Sequence, residues 1–289
     1  ITTHEWIHFE TIQEINDNSD RIVAILDASM KVEFSKTILE KLNNLKVFVT
    51  ATTGSTHIDE EYLKCKNIPL LTLKGQRDFL KNITPAAEHS WLLLLMCARK
   101  IRPVFEDIEK CIWDREKHPG TMLNGKTLGI IGCGRIGQWM ARYGNAFGMN
   151  CLGYDPYLNI FPSHLKQSNM EELLRNSDFI TLHVNYEKNL EKFIDEKEFN
   201  LMKKGAVFIN TSRGALINEN ILLKKIQEGH LSAVGLDVLS DEPFVEKSKI
   251  LKQYKNYKNI IITPHIGGFS PDALKVVLEF CTKRINKFI

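Results

Sequence analysis

Little in this sequence ties it to a membrane, a metal or an oxidising compartment. Its longest apolar run, Trp91 to Ala98, is far short of the roughly 20 residues that cross a bilayer, and no secretory signal is visible. Six cysteines (Cys65, Cys97, Cys111, Cys133, Cys151 and Cys281) are scattered, with no C-x-x-C pair and no His/Cys cluster at metal spacing, so no metal site is expected. Several lie in apolar runs, which points to buried free thiols in a reducing, cytoplasmic setting rather than to disulfides. The formal net charge is only +3 and spread along the chain, which gives no case for nucleic acid or an anionic membrane as partner. Internal repeats and low-complexity segments are missing too. What remains is an ordinary globular composition, 43% hydrophobic and 25% charged, in 289 residues, enough for two domains.

The most informative stretch is Thr127-Leu-Gly-Ile-Ile-Gly-Cys-Gly-Arg-Ile-Gly137. Its apolar, β-branched start reads as a buried parallel strand. It breaks into Gly132-x-Gly134-x-x-Gly137 and continues as Gln138 to Tyr143, which reads as a helix. Gly132 permits the tight turn, Gly134 lets backbone approach a pyrophosphate, and Gly137 lets the helix pack on the sheet. The helix N-terminus turns N–H groups and a positive dipole end toward the phosphates. A second strand, Asn150 to Asp155, ends in an acid at close to the roughly 20-residue spacing at which a carboxylate meets the ribose 2′-hydroxyl. Cys133 stands at the same helix N-terminus, a place that can lower a thiol pKa, but it reads first as a passive small residue.

Around this stretch the pattern alternates. Arg21–Leu26, Lys46–Thr50 and Ile68–Leu73 read as strands, with helices at Ser35–Leu42 and Ile58–Lys66. Trp6, Ile7 and Phe9 suggest the remnant of one more strand. A helix is expected from Thr84 to Arg102, ended or kinked by Pro103. The strands of the second series are expected at 127–131, 150–154, 178–183, 205–210, 232–237 and 259–263, and an amphipathic helix follows over Pro271–Phe288. That count fits a doubly wound dinucleotide-binding sheet. In such a sheet ligands bind outside the carboxyl ends of the strands. There three loops carry polar residues: Asn210-Thr-Ser-Arg213-Gly214, Asp237 to Glu242-Pro243, and Thr263-Pro-His265-Ile-Gly267-Gly268.

These motifs, in this order, resemble the D-isomer-specific 2-hydroxyacid dehydrogenases, and the likeness runs from about 45 to 289. The resemblance implies an NAD-dependent oxidoreductase acting on a small 2-oxo or 2-hydroxy acid, with Arg213, Glu242 and His265 as the catalytic trio. It implies cofactor contacts at Gly132, Gly134, Arg135, Ile136, Gly137, Asp155, His183, Asn185, Thr211, Asp237 and Gly267, with Asp155 on the adenosine ribose and Asp237 facing the nicotinamide carboxamide. His183 reads equally as cofactor-lining or merely packed. The resemblance also implies a backbone cradle for the substrate carboxylate at Thr52 to Ser55 (Thr53, Gly54 and Ser55 above all), and a helix from Pro85 to His89 lining the cleft. The implied fold is α/β: a doubly wound Rossmann NAD domain, 100–267, inserted into a smaller flavodoxin-like substrate domain made of 1–99 and 268–289, the cleft closing on substrate. The segment Arg102 to Pro119, with Trp113, is implied to be a homodimer arm of the dinucleotide domain.

The chemistry accounts for those residue types independently. Reducing a 2-oxo acid requires a hydride on the carbonyl carbon and a proton on its oxygen. A planar, permanently charged Arg213 can grip the carboxylate and polarise the carbonyl. His265 is suited to exchanging the proton, and Glu242 at its far nitrogen would fix the tautomer and favour imidazolium. Two departures from the family pattern stand out. Leu182-His183-Val184-Asn185 lacks the usual proline, and no arginine stands in Asp27-Ala-Ser-Met-Lys31, where phosphoglycerate-specific members carry one. Lys31, Lys74 and Arg77 are the alternative cations, though such residues more often form a solvated face. A cofactor-sensing, corepressor-like interaction protein on the same scaffold is the rival reading.

Overall fold

The computed structural model describes residues 4–28 and 32–289. They divide into two compact units, Ile1–Ile83 with Ser270–Ile289, and Thr84–Phe269. Ser29, Met30 and the alternative cation Lys31 lie outside the described residues.

In the first unit, β1 (Ala24–Asp27), β2 (Val47–Thr50) and β3 (Leu70–Leu71) form a parallel sheet in that order. Every residue of β2 is buried, and its alternation sorts two cores. Phe48 packs with Ile38 and Leu63, while Val47 and Val49 meet Val277, Cys281 and Ile285 of the helix Pro271–Ile285. The sheet thereby ties the two ends of the chain into one body. Trp6 to Phe9 form no strand; the first element is instead the helix Ile12–Asp17, closed by a Thr11/Glu14 capping box.

The second unit holds β4 (Thr127–Ile131), β5 (Asn150–Tyr154), β6 (Lys166–Gln167), β7 (Phe179–Leu182), β8 (Ala206–Asn210), β9 (Leu231–Leu236) and β10 (Ile260–Ile262). All are parallel, in the order β10-β9-β8-β7-β4-β5-β6. The chain runs outward from β4 to one edge, returns to β7 and continues to the other edge, so the order reverses between β4 and β7. Both faces are covered, which explains the unbroken apolar runs. Along β8, Phe208 faces one core with Leu222, Leu223 and Phe199, while Val207 and Ile209 face the other with Met140 and Leu94.

The helix Pro85–Ala98 packs on that second face rather than with the first unit, so the dividing point falls at 83/84, not at 99/100. The reason is in its spacing. Ala87, Trp91, Leu94 and Ala98 recur at helical period and are buried, and Trp91, Leu94 and Ala98 share a core with Ile130, Ile209 and Ala233 of the sheet. Nor does Pro103 end this helix. A break comes earlier, at Lys100 in the left-handed region (φ 52°), and a new helix runs Ile101–Glu109. Pro103 sits in its first turn, where the missing N–H has no helical acceptor to lose.

Replacing fully buried Leu94 with Ala should destabilise the second unit by about 2–5 kcal/mol, read as an earlier urea transition. A loss under about 1 kcal/mol would mean that the helix is not part of this core.

Candidate active site and cofactor cradle

One row of residues crosses the larger sheet in register. Tyr154 pairs with Ile131, Ile131 with Leu182, Leu182 with Asn210, Asn210 with Leu236, and Leu236 with Ile262. The residues immediately past this row are Asp155, Gly132, His183, Thr211, Asp237 and Thr263. Parallel pairing has therefore lined up the ends of six strands, so the motifs spread over 132–267 share one edge.

At the switch point Gly132 has φ 88°, in the left-handed region, and a Cβ there would stand 2.5 Å from the His183 carbonyl oxygen. A Cβ on Gly137 would stand 2.1 Å from the Gly132 oxygen. Only glycine lets the turn, β7 and the helix Arg135–Ala146 meet this closely. Nothing lies within 4 Å of where a Gly134 Cβ would be, which leaves open space before the helix start. Asp155 is drawn back onto the turn: its carboxylate accepts the Cys133 and Tyr157 N–H groups, each at 2.9 Å. Beside it lies a polar cavity of about 570 Å³ lined by Asp155, Gln167, Ser168, Asn169 and Glu172.

Arg213 is held by the backbone around it. Fully buried Asn210 accepts the Ser212 N–H at 3.0 Å and donates to the Arg213 carbonyl at 2.9 Å. The Ser212 hydroxyl donates to Leu182 O at 2.7 Å, and Arg213 Nη1 to Ser212 O at 2.7 Å. Burial pulls the guanidinium pKa down and nearby Glu242 opposes that; an arginine stays charged regardless. His265 Nδ1 lies 2.9 Å from Glu242 Oε1. With a carboxylate there, Nδ1 carries a proton and Nε2 is the nitrogen left for other chemistry.

His265 adopts a left-handed backbone, φ 52°, which a non-glycine residue holds only when its surroundings fix it. Asp237 does the fixing. His265 N–H donates to the Asp237 carbonyl at 2.8 Å. The Asp237 carboxylate accepts from Thr263 Oγ1 (2.6 Å), Ile266 N (3.0 Å) and Gly267 N (2.8 Å). His89 Nε2, from the helix Pro85–Ala98, adds a contact to Asp237 at 3.3 Å and to Thr263 Oγ1 at 2.8 Å. Despite burial, these donors hold the carboxyl pKa below its usual value. Asp237, expected at the nicotinamide, also builds the loop that presents His265.

In the first unit, Thr53, Gly54 and Ser55 follow β2 on a turn, and the Ser55 hydroxyl donates to Glu60. Beneath it Asp27 is buried and accepts from Thr50 Oγ1 at 3.0 Å and meets His57 Nε2 at 2.9 Å. Lys74 and Arg77 are exposed. Among the described residues no group of three or more His, Cys, Asp or Glu could hold a metal ion, and no helix is long and apolar enough to cross a membrane.

A glycine turn at the switch point, an acid after the next strand, and an Arg, Glu and His on the same edge are matched by one family model. Residues 91–267 match the D-isomer specific 2-hydroxyacid dehydrogenase, NAD binding domain. The chain belongs to the D-isomer specific 2-hydroxyacid dehydrogenase family. It is 34% identical over 263 residues to a glyoxylate reductase of Thermococcus litoralis, covering 88% of this chain and 76% of that one. It is 33% identical over 287 residues to a D-3-phosphoglycerate dehydrogenase of Methanocaldococcus jannaschii, covering 97% of this chain but only 51% of that protein. This chain thus spans about half the length of the phosphoglycerate dehydrogenase. The crystal structure of a D-lactate dehydrogenase from Aquifex aeolicus, complexed with NAD and lactic acid, superposes with a TM-score of 0.79 at 30% identity, over 94% of this chain and 84% of that one.

The 2-hydroxyacid dehydrogenase turn fits NAD on its own geometry. Gly134 leaves room for a pyrophosphate, and the first-turn N–H groups at Ile136 and Gly137 point out of the helix start. Half-buried Arg135 adds a cation whose pKa burial lowers. His183 is half-buried. Its Nε2 meets Thr181 Oγ1 at 2.7 Å, its Nδ1 is buried without a partner among the described residues, and burial pushes its pKa down to about 3. The Thr211 hydroxyl bonds Ser90 at 2.6 Å, and Asn185 is exposed. Cys133 is not activated by the helix start. Burial and then Asp155 push its thiol up to about 12.

Native alkylation near neutral pH should therefore label exposed Cys65 and Cys111 and spare buried Cys97, Cys133, Cys151 and Cys281, all six reacting once the chain unfolds. Fast labelling of Cys133 in the folded state, read by peptide mass spectrometry, would refute the buried placement.

Proposed function

We propose that this chain is an NAD-dependent dehydrogenase of a small 2-hydroxy acid, working on the D isomer, with Arg213, Glu242 and His265 as its catalytic groups. The observation that carries the reading is the Glu242–His265 contact at 2.9 Å on the sheet edge that also carries Arg213 and the glycine turn. No observation favours a corepressor-like role.

NAD, when bound, supplies or accepts the hydride. The chain does the rest. Arg213 binds the substrate carboxylate with two parallel N–H donors and draws charge onto the carbonyl oxygen. His265 delivers a proton to that oxygen from Nε2 in reduction and removes it in oxidation. Glu242 holds the ring through Nδ1, so that Nε2 keeps facing the substrate. The turn Thr53-Gly54-Ser55 supplies backbone N–H groups to an anionic substrate group. Asp155 and Glu172 border the 570 Å³ cavity, whose lining has no Lys or Arg, which disfavours a 2′-phosphate and supports NAD over NADP.

Assayed against a panel of 2-oxo acids, the protein should oxidise NADH with at least one member, and kcat/KM with NADPH should be lower. Arg213→Lys keeps the charge but not the two-pronged geometry, and should lose roughly a hundredfold or more in kcat/KM. Equal turnover by the Lys variant would remove Arg213 from the site, and equal use of NADPH would remove Asp155 from its role.

We also infer a cytoplasmic homodimer. Four buried free thiols suit a reducing compartment. Trp113 is 92% exposed, and Phe105, Ile108 and Met122 stand exposed near it in sequence, more apolar surface than a monomer needs to show. Sedimentation at micromolar concentration should give the dimer mass, and Trp113→Ala should shift it toward monomer; a monomeric parent protein would end this assignment.

A further inference from the structure

Glu219 opens the helix Glu219–Gln227, six residues after Arg213 in sequence, and takes no part in the chemistry above. Its Oε1 accepts both the Ser240 N–H at 2.7 Å and the Ser240 hydroxyl at 3.0 Å. Ser240 lies two residues before Glu242, whose Oε1 meets His265 Nδ1. The same turn is pressed from below. A Cβ on Gly214 would stand 2.0 Å from Leu239 C and 2.2 Å from Ser240 N, so the backbone beside Arg213 is the floor on which the Leu239–Glu242 turn rests.

The placement of Glu219 is not explained by charge balance. Half-buried, it faces Asp241 and Glu242, and burial together with those two acids pushes its pKa up while the Ser240 bonds pull it down. A third carboxylate among two others is electrostatically unfavourable. The groups that hold it there are the two Ser240 donors. A carboxylate in a first helical turn also gains from the helix dipole, and the test has to separate that effect from the Ser240 clamp.

We infer that Glu219 is a positioning residue: through Ser240 it holds the Leu239–Glu242 turn so that the Glu242 carboxylate stays on His265 Nδ1. This rests on the catalytic reading of Glu242 and His265. Reach, not charge, is what the clamp needs. Glu219→Gln keeps an acceptor oxygen at the same reach and relieves the crowding of acids. Glu219→Asp keeps the charge and suits the first turn, but is a methylene too short for Ser240.

The first arm needs no turnover. In protein carrying 15N-histidine, with the His265 signals assigned through His265→Asn, Glu219→Asp should move the His265 Nδ1 resonance in the direction that Glu242→Gln moves it. Glu219→Gln should leave it at the wild-type position. In the second arm, Glu219→Asp should lower kcat for 2-oxo acid reduction roughly tenfold, below the hundredfold expected of a full ångström displacement, with KM for NADH unchanged. The same change made on Glu242→Gln should cost under about twofold, because the two act as a unit. The opposite order, Asp harmless and Gln impaired, would show a helix-dipole role and overturn the inference, as would full additivity with Glu242→Gln. If no 2-oxo acid is turned over by the wild type, the proposed activity fails while the nuclear magnetic resonance arm still decides the role of Glu219.

Discussion

The in-register row Tyr154–Ile131–Leu182–Asn210–Leu236–Ile262 is the constraint on which the rest of the site depends. Parallel strands buried on both faces cannot slip by one residue without moving every side chain to the opposite core. Phe208 and Ile209 would exchange partners, and two fully buried side chains, each worth about 1.5–3 kcal/mol, would be mispacked. The same pairing that sorts the cores therefore sets where each strand stops. Glycine, acid, arginine loop and histidine loop are delivered to one edge by packing far from any of them.

Delivery to the edge does not by itself aim a side chain. That step falls to buried polar residues. Asn210 builds the loop before Arg213, and Asp237 builds the loop around His265. A left-handed non-glycine residue costs roughly 1–3 kcal/mol. Three hydrogen bonds to an ionised carboxylate, at roughly 1.5–3 kcal/mol each, exceed that cost. His265 can thus be kept in a conformation that an isolated Thr-Pro-His-Ile-Gly segment would leave.

Much of this was legible in the sequence because the signals are local. A β-branched run into a spaced glycine triplet, an acid one strand later and an arginine straight after an apolar strand each announce their position within a few residues, and the geometry brings Glu242 and His265 together. The roles of Asp237, His89, Asn210 and Glu219 were not legible. A carboxylate at the end of a buried strand does not announce in sequence which donors of its own chain it will hold, here those at Thr263, Ile266 and Gly267. His89 and Thr263 are far apart in the chain, and no periodicity connects them. Two overlooked local signals were the capping boxes Thr11-x-x-Glu14 and Asp195-x-x-Glu198, start signs for their helices.

The division of labour between the units follows from the same geometry. The cofactor turn, Arg213, Glu242, His265 and every residue found to aim them belong to the unit Thr84–Phe269. Thr53, Gly54, Ser55 and the Asp27–His57 pair beneath them belong to the other. A substitution in Thr53–His57 thus changes no partner of the sheet row and no donor to Asp237. A substitution at Asn210 or Asp237 removes contacts that Arg213 or His265 cannot replace.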